Sequence, residues 1–360
     1  MPRIVLFFIP MTSPFFFFKL LRCLSAAVFS GGVLVSAIVA AQPVPGTTSG
    51  VSCPPAAMPV PAGLTPGVWA QRSKEATDRG LLWRIEKNGR TSWLYGTTHL
   101  GKADWLIPGP RVMHALMSSD TIALELDLLD PSTVAELTAP PDAAAMARML
   151  TPERQRRLNG QVAAACLPAG ALAALRPMLQ VTALAMMTAR ADGLYPDYAI
   201  ESFLAGFART RHKPVVALET AASQLKLLIG DSEDEEAAQV DEGLDELESG
   251  SGQRKAIELV DAWARSDWVL LDSYPQWCDC LTTADERRMF KRLLADRNPG
   301  LASGIERLHD SGQRVFGAVG ALHMIGTQGL PALLTARGFN VTQMLPALNA
   351  VSPTSTVMPR

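Results

Sequence analysis

Four short apolar runs in this chain each stop on a side chain that can hold a proton or an ion, and that feature limits the fold more than any other. "SWLYGTTH" ends on His99, "TIALE" on Glu125, "PVVALE" on Glu219 and "VFGAVGALH" on His323. Runs of this length, rich in bulky and β-branched residues and bounded by Gly, Pro and Ser, read as buried strands. The stretches between them are long and carry helical spacing. An α/β protein with a mixed central β-sheet and flanking helices is therefore expected. Such sheets bind ligands beyond the carboxyl ends of their strands, which is where these four residues fall. Each half of the chain offers one strand ending in G-x-x-H and one ending in L-E, so two pseudo-related halves facing a shared cleft are expected.

The first element is a hairpin. "LLWRIEKNGRTSWLYG" places Asn88 and Gly89 between two apolar runs, the strongest short signal for a two-residue turn. "IPGPRVMHALMSSD" reads as a short helix entered through Pro110, and helices fill residues 131–190, with Thr151 as a cap. Met178, Met186 and Met187 read as core filler. "PDYAIESFLAGFARTRHK" is an amphipathic helix before the strand that carries Glu219. The stretch 231–248 holds ten acids and no bases and reads as a solvated helix face or a mobile loop. A closing helix, a stop at Gly338 and a final strand follow His323. His114, His212 and His309 read as surface.

Residues 1–41 combine basic residues, a long apolar run and small residues ending at Ala41, the pattern of a signal peptide that directs export to the periplasm or beyond. The 18 uncharged residues Leu24 to Ala41 leave an uncleaved membrane anchor open, and a membrane enters only on that reading. Residues 42–80 form a Pro-rich linker and extension with structure starting near Leu81, residues 81–345 the domain, and residues 346–360 a frayed tail. The leading segment carries Arg3, Lys19 and Arg22 and no acid, so removing it lowers the 33 basic residues to 30 against 35 acidic ones. That balance gives no footprint for nucleic acid. Cys53, Cys166, Cys278 and Cys280 then remain, an even number that suits disulfides in an exported chain. Cys278 and Cys280 are not expected to pair with each other at that spacing.

The strand-end residues suit hydrolytic chemistry. Gly96 and Gly320 each precede a histidine by three positions and let the chain turn or a ligand approach the backbone. Two imidazoles and two carboxylates are a plausible ligand set for a divalent ion with room for water, the second carboxylate taking the proton of that water. Each residue also has a plain structural reading, as a satisfied polar group. "GTTHLGKA" falls short of a phosphate-binding loop because Ala103 stands where Ser or Thr belongs. There is no H-E-x-x-H and no G-x-S-x-G.

Together "WLYGTTHLGKADW", "IALELD", "KPVVALET", "ADRNPGLASGIERL" and "FGAVGALHMIGTQGLPALLTARGFNV" resemble the TraB/GumN/Tiki family across Leu81 to Met344. The resemblance implies a fold similar to that of erythromycin esterase and ChaN-like proteins. It implies metal-dependent peptidase activity of the Tiki kind, with manganese or cobalt favoured and zinc possible. Carried over by position, His99, His323 and Glu125 would hold the metal, and Glu125, Glu219 and Arg297 would be catalytic. Gly96, Gly320 and Asn298 would shape the site. Arg297 would hold a substrate carboxylate or oxyanion, or else form a structural salt bridge to Glu125 or Glu219. Asp197, in "YPDY", follows a proline where relatives have a glycine. The substrate would be a peptide or a small molecule. Two alternatives stay open: a metal-independent ester hydrolase, and an envelope binding protein that does no chemistry.

Overall fold

The computed structural model describes residues 53–57 and 66–346, so the expected signal segment lies outside the described residues. Strands β1 (Leu81–Lys87) and β2 (Arg90–Thr97) form the expected hairpin. Asn88 and Gly89 both take left-handed backbone angles, φ 53° and 72°, as a two-residue turn that matches the twist of its strands requires. The other strands are β3 (Thr121–Leu124), β4 (Val215–Ala217), β5 (Val315–Gly320) and β6 (Asn340–Leu345). They make one six-stranded sheet in the order β4-β3-β5-β2-β1-β6. Neighbours from β4 through β2 are parallel, and β1 is antiparallel to both β2 and β6.

Burial explains the lettering of the central strands. β3 and β5 are buried along their whole length, because helices cover both faces of a parallel sheet and leave no face to be polar. The strands do not divide into two halves: β3, from the first part of the chain, sits between β4 and β5 from the second, so both parts interleave in one sheet. The consequence for function is direct: β2, β3, β4 and β5 run the same way, and the residues that follow each of them emerge along one edge.

Several local expectations change. Pro66–Glu75 is a helix inside the stretch read as linker. The acid-rich stretch is an ordered helix, Glu233–Ser249, capped by Ser232. Its acids meet arginines on facing elements, in the pairs Arg148–Glu233, Arg154–Asp241, Arg157–Asp245, Arg157–Glu248 and Arg176–Glu236. The run is a helix face, as one of its two readings has it, and its half-exposed acids make it one side of an intramolecular charge zipper. Cys53 is bonded to Cys166, and Cys278 to Cys280, against expectation. Asp279 makes the second bridge possible by adopting φ 56°, which brings the flanking Cα atoms to 5.1 Å, inside the range a disulfide spans.

His309, read as surface, is fully buried. Its Nδ1 lies 2.9 Å from Ser92 Oγ and its Nε2 lies 3.0 Å from the Lys87 carbonyl oxygen, so both ring nitrogens are satisfied. No helix among the described residues is long and apolar enough to cross a membrane.

Candidate active site

The carboxyl edge of the parallel strands gathers the expected residues. His99 lies two positions past β2, Glu125 directly past β3, Glu219 two past β4, and His323 in the single 3-10 turn Ala321–Met324 that follows β5. Arg297 and Asn298 enter from the start of the helix Asn298–Asp310. His323 is fully buried, and His99, Glu125 and Arg297 keep 3%, 5% and 8% of their surface, so solvent reaches the cluster mainly beside Glu219.

Arg297 is the hub. Its Nη2 donates to Glu125 Oε2 at 2.5 Å and also to Glu219 Oε2, and its Nε donates to Glu219 Oε1 at 2.9 Å. Its Nη1 donates to the Leu293 carbonyl at 2.9 Å and lies 3.1 Å from His323 Nε2. Gln224, from the helix Ala221–Ile229, donates to Glu125 Oε2 at 3.2 Å and Glu219 Oε2 at 2.9 Å. The remaining Glu125 oxygen accepts from the Gly320 N–H at 2.7 Å. Gly320 thus binds one strand end to the next through its backbone. Gly96 permits a close approach instead: a β-carbon there would meet Ala321 Cα at 3.1 Å and Met324 Cγ at 3.2 Å, in the turn that carries His323.

These contacts fix the state of His323. Asn298 donates through Nδ2 to the Gln328 carbonyl at 2.7 Å, which leaves its Oδ1 to accept from His323 Nδ1–H at 2.5 Å. Nε2 then has a lone pair, and it faces a guanidinium that can only donate. The ring is neutral. Burial, and then the charges of Arg297 and His99, hold its pKa well below the usual histidine value.

His99 is biased the other way. Burial works against its charge, but the Glu201 carboxylate outweighs burial and raises the pKa. Its Nδ1 is 3.1 Å from Glu201 Oε1, close enough for an ion pair though not aligned as a hydrogen bond. Burial also opposes the charge on Glu201, and His99 with the Thr97 hydroxyl outweighs it, so that carboxyl is held below the usual range. His99 Nε2 and Glu201 Oε2 are buried and have no hydrogen-bond partner. Glu125 is displaced upward by burial, which Arg297 only partly offsets.

Thr97, Glu201 and Gln224 were not singled out from sequence. Glu201 left a signal: it lies in the helix Ile200–Thr210 on the stripe shared with Leu204, Ala205 and Ala208, a charge on an otherwise apolar face. Glu201, four positions after Asp197, is the acid that reaches His99.

The donor chemistry tests whether this set suits a divalent ion. Of the expected ligands His99, His323 and Glu125, only His99 offers an unengaged atom; His323 Nε2 and Glu125 Oε2 face Arg297, and Glu125 Oε1 holds the Gly320 N–H. Among the described residues no group of three or more His, Cys, Asp or Glu side chains is placed to hold an ion. The arrangement does not fit a three-ligand metal centre while the guanidinium occupies it.

A mixed α/β sheet whose parallel strands collect two histidines, three glutamates and an arginine at their carboxyl edge defines a protein with a buried, highly polar centre. The chain belongs to the TraB/PrgY/gumN family, which it matches over residues 81–343. It is similar to the uncharacterized protein YbaP of Shigella flexneri, 26% identical over 248 residues that cover 68% of this chain and 88% of that one. YbaP of Escherichia coli (strain K12) is 25% identical over 244 residues, covering 67% and 86%. No solved structure matches.

Proposed function

We propose that this chain is an exported hydrolase, with a peptide as the favoured substrate, and that the strand-edge cluster activates water. The observation that carries the reading is the buried, unpartnered Nε2 of His99. An unmade hydrogen bond of that kind costs about 1–3 kcal/mol, which a purely structural histidine avoids, as His309 does by bonding through both nitrogens. The two site histidines also carry opposite protonation preferences. Paired groups pushed apart in this way are the usual arrangement for an acid and a base in one site.

In this reading His323, neutral and with its Nε2 lone pair inward, accepts a proton from water that enters between it and Arg297 as the water oxygen bonds to the substrate carbonyl carbon, and returns that proton to the leaving nitrogen as the C–N bond breaks. Arg297 and the protonated His99 donate to the oxyanion that develops on the substrate carbonyl. Glu201 keeps His99 charged and oriented. Glu125 and Glu219 hold the guanidinium in place.

A second reading has a specific observation in its favour, the buried His99 Nε2, which faces away from Glu201 and has no hydrogen-bond partner. A manganese, cobalt or zinc ion there would supply a Lewis acid and an acidified water, and recruiting His323 and Glu125 as further ligands would require Arg297 to withdraw.

Peptide-library digestion by the purified protein, with and without chelator and alongside His99→Ala and His323→Ala, tests both. Cleavage that survives chelation and is lost in both variants supports the first reading. Cleavage abolished by chelator, with about one bound ion per chain that disappears in His99→Ala, supports the second. No cleavage of peptide or ester by the intact chain sinks the hydrolase and leaves a binding protein.

A further inference from the structure

The segment 53–57 lies against the domain. Cys53 is bonded to Cys166, 113 positions further on. The Pro54 carbonyl accepts from Arg190 Nη2 at 3.5 Å, and the Pro55 carbonyl accepts from the Tyr195 hydroxyl at 3.1 Å. Ala57 packs against the cluster of Leu106, Tyr195 and Tyr198, whose two tyrosine rings lie 5.5 Å apart. Beyond the disulfide, the domain holds this segment through two main-chain carbonyls and one methyl group. Aromatic rings with a few donors, reading the backbone and small side chains of a proline-containing stretch, are the chemistry of an extended-peptide groove.

That surface adjoins the candidate site. Gly101, two positions past His99, exchanges both backbone hydrogen bonds with Tyr195, at 3.1 and 2.8 Å, and the Ile200 N–H donates to the Thr98 carbonyl at 3.1 Å. Glu201, six positions after Tyr195, faces His99. A segment seated on Tyr195 and Tyr198 therefore lies along the chain that positions the His99–Glu201 pair.

We infer that Leu106, Arg190, Tyr195 and Tyr198 form a docking subsite for an extended peptide containing proline and alanine, and that residues 53–57 are its tethered intramolecular occupant. The covalent tether keeps the occupant at an effective concentration in the millimolar range or above, so a free peptide is excluded while the disulfide is intact. The inference rests on the hydrolase reading only where it names polypeptide as the substrate class; docking itself is independent of turnover.

The test uses the full chain carrying Cys53→Ser, Cys166→Ser and Ala57→Asp, which removes the disulfide tether, leaves only the main-chain link, and sets a carboxylate against the aromatic cluster so that the segment no longer fills the subsite. The probe is a fluorescein-labelled peptide with the sequence of residues 51–60 and serine in place of its cysteine. Fluorescence anisotropy should give binding about tenfold or more tighter to the opened chain than to the disulfide-bonded one. Adding Tyr195→Ala should return it to the closed-chain level. Absence of binding to the opened chain overturns the inference, as does equal binding of a Gly/Ser peptide of the same length. Should the opened chain fail to fold, Ala57→Asp alone with both disulfides intact reads the same surface: hydrogen exchange at Tyr195 and Tyr198 should accelerate, and unchanged exchange overturns the inference. Docking without cleavage removes only the hydrolase reading, and cleavage without docking removes only this one.

Discussion

Replacing Arg297 by methionine tests the electrostatic account of the site. The substitution removes three hydrogen bonds to two carboxylates, the donor facing His323 Nε2 and the bond to the Leu293 carbonyl, and it leaves Glu125 and Glu219 sharing Gln224 with no cation between them. Breaking a buried ion pair by deleting one partner costs about 3–5 kcal/mol, because the remaining charge is left desolvated. The pH dependence follows from Glu125, whose carboxyl burial raises above the ordinary 4.5 while Arg297 acts against the rise. Between the unfolded and folded values the folded state binds more protons, so stability falls as pH rises through that window and is flat above it. Without Arg297 the window widens toward neutral, and each added pKa unit costs about 1.4 kcal/mol above it. Urea unfolding should therefore show a loss of about 3–5 kcal/mol at pH 8 and a smaller loss at pH 5, with Glu125→Gln in the same chain recovering the pH-dependent part. An equal loss at both pH values, or a loss under about 1 kcal/mol, refutes the reasoning.

Two further outcomes are expected. In an NMR titration His99 should have its midpoint above 6.5, and Glu201→Gln should lower it below that value, since burial would then act with little opposition. The stability that the His99 charge contributes is complete below the unfolded midpoint and lost as pH rises through the folded one, so Glu201→Gln should cost more at pH 6 than at pH 9; a midpoint that does not move counts against the pair. Gly96→Ala should destabilise by about 1–3 kcal/mol in denaturant unfolding and shift the His323 ring resonances, because its methyl meets the backbone of Ala321; stability equal to wild type would show that the close approach is relaxed at no cost.

Local features were legible in the letters because their causes are local. Asn88-Gly89 needs only its own backbone angles to make a hairpin, Pro110 and Thr151 start helices through the first-turn N–H groups, and an unbroken apolar run can lie only where both faces are covered. The same holds for the strand-end residues, since a polar side chain that ends a buried parallel strand can point only to the carboxyl edge. What pairs with what was not legible. Glu201, Gln224 and Thr97 reach the centre from elements whose spacing carries no mark of it beyond one charge on an apolar stripe, and the Glu233–Ser249 acids find their arginines some 60 to 91 positions away in sequence.

The sequence by itself therefore determined that two histidines and two glutamates stand at the ends of four strands. Only the tertiary structure decided what they are to one another. Burying Arg297 between Glu125, Glu219 and His323 favours neutral His323, and setting Glu201 beside His99 favours the charged form of His99. The physical reason is that a charge's state depends on distance and on the loss of water, and both are properties of the packed chain rather than of any stretch of it.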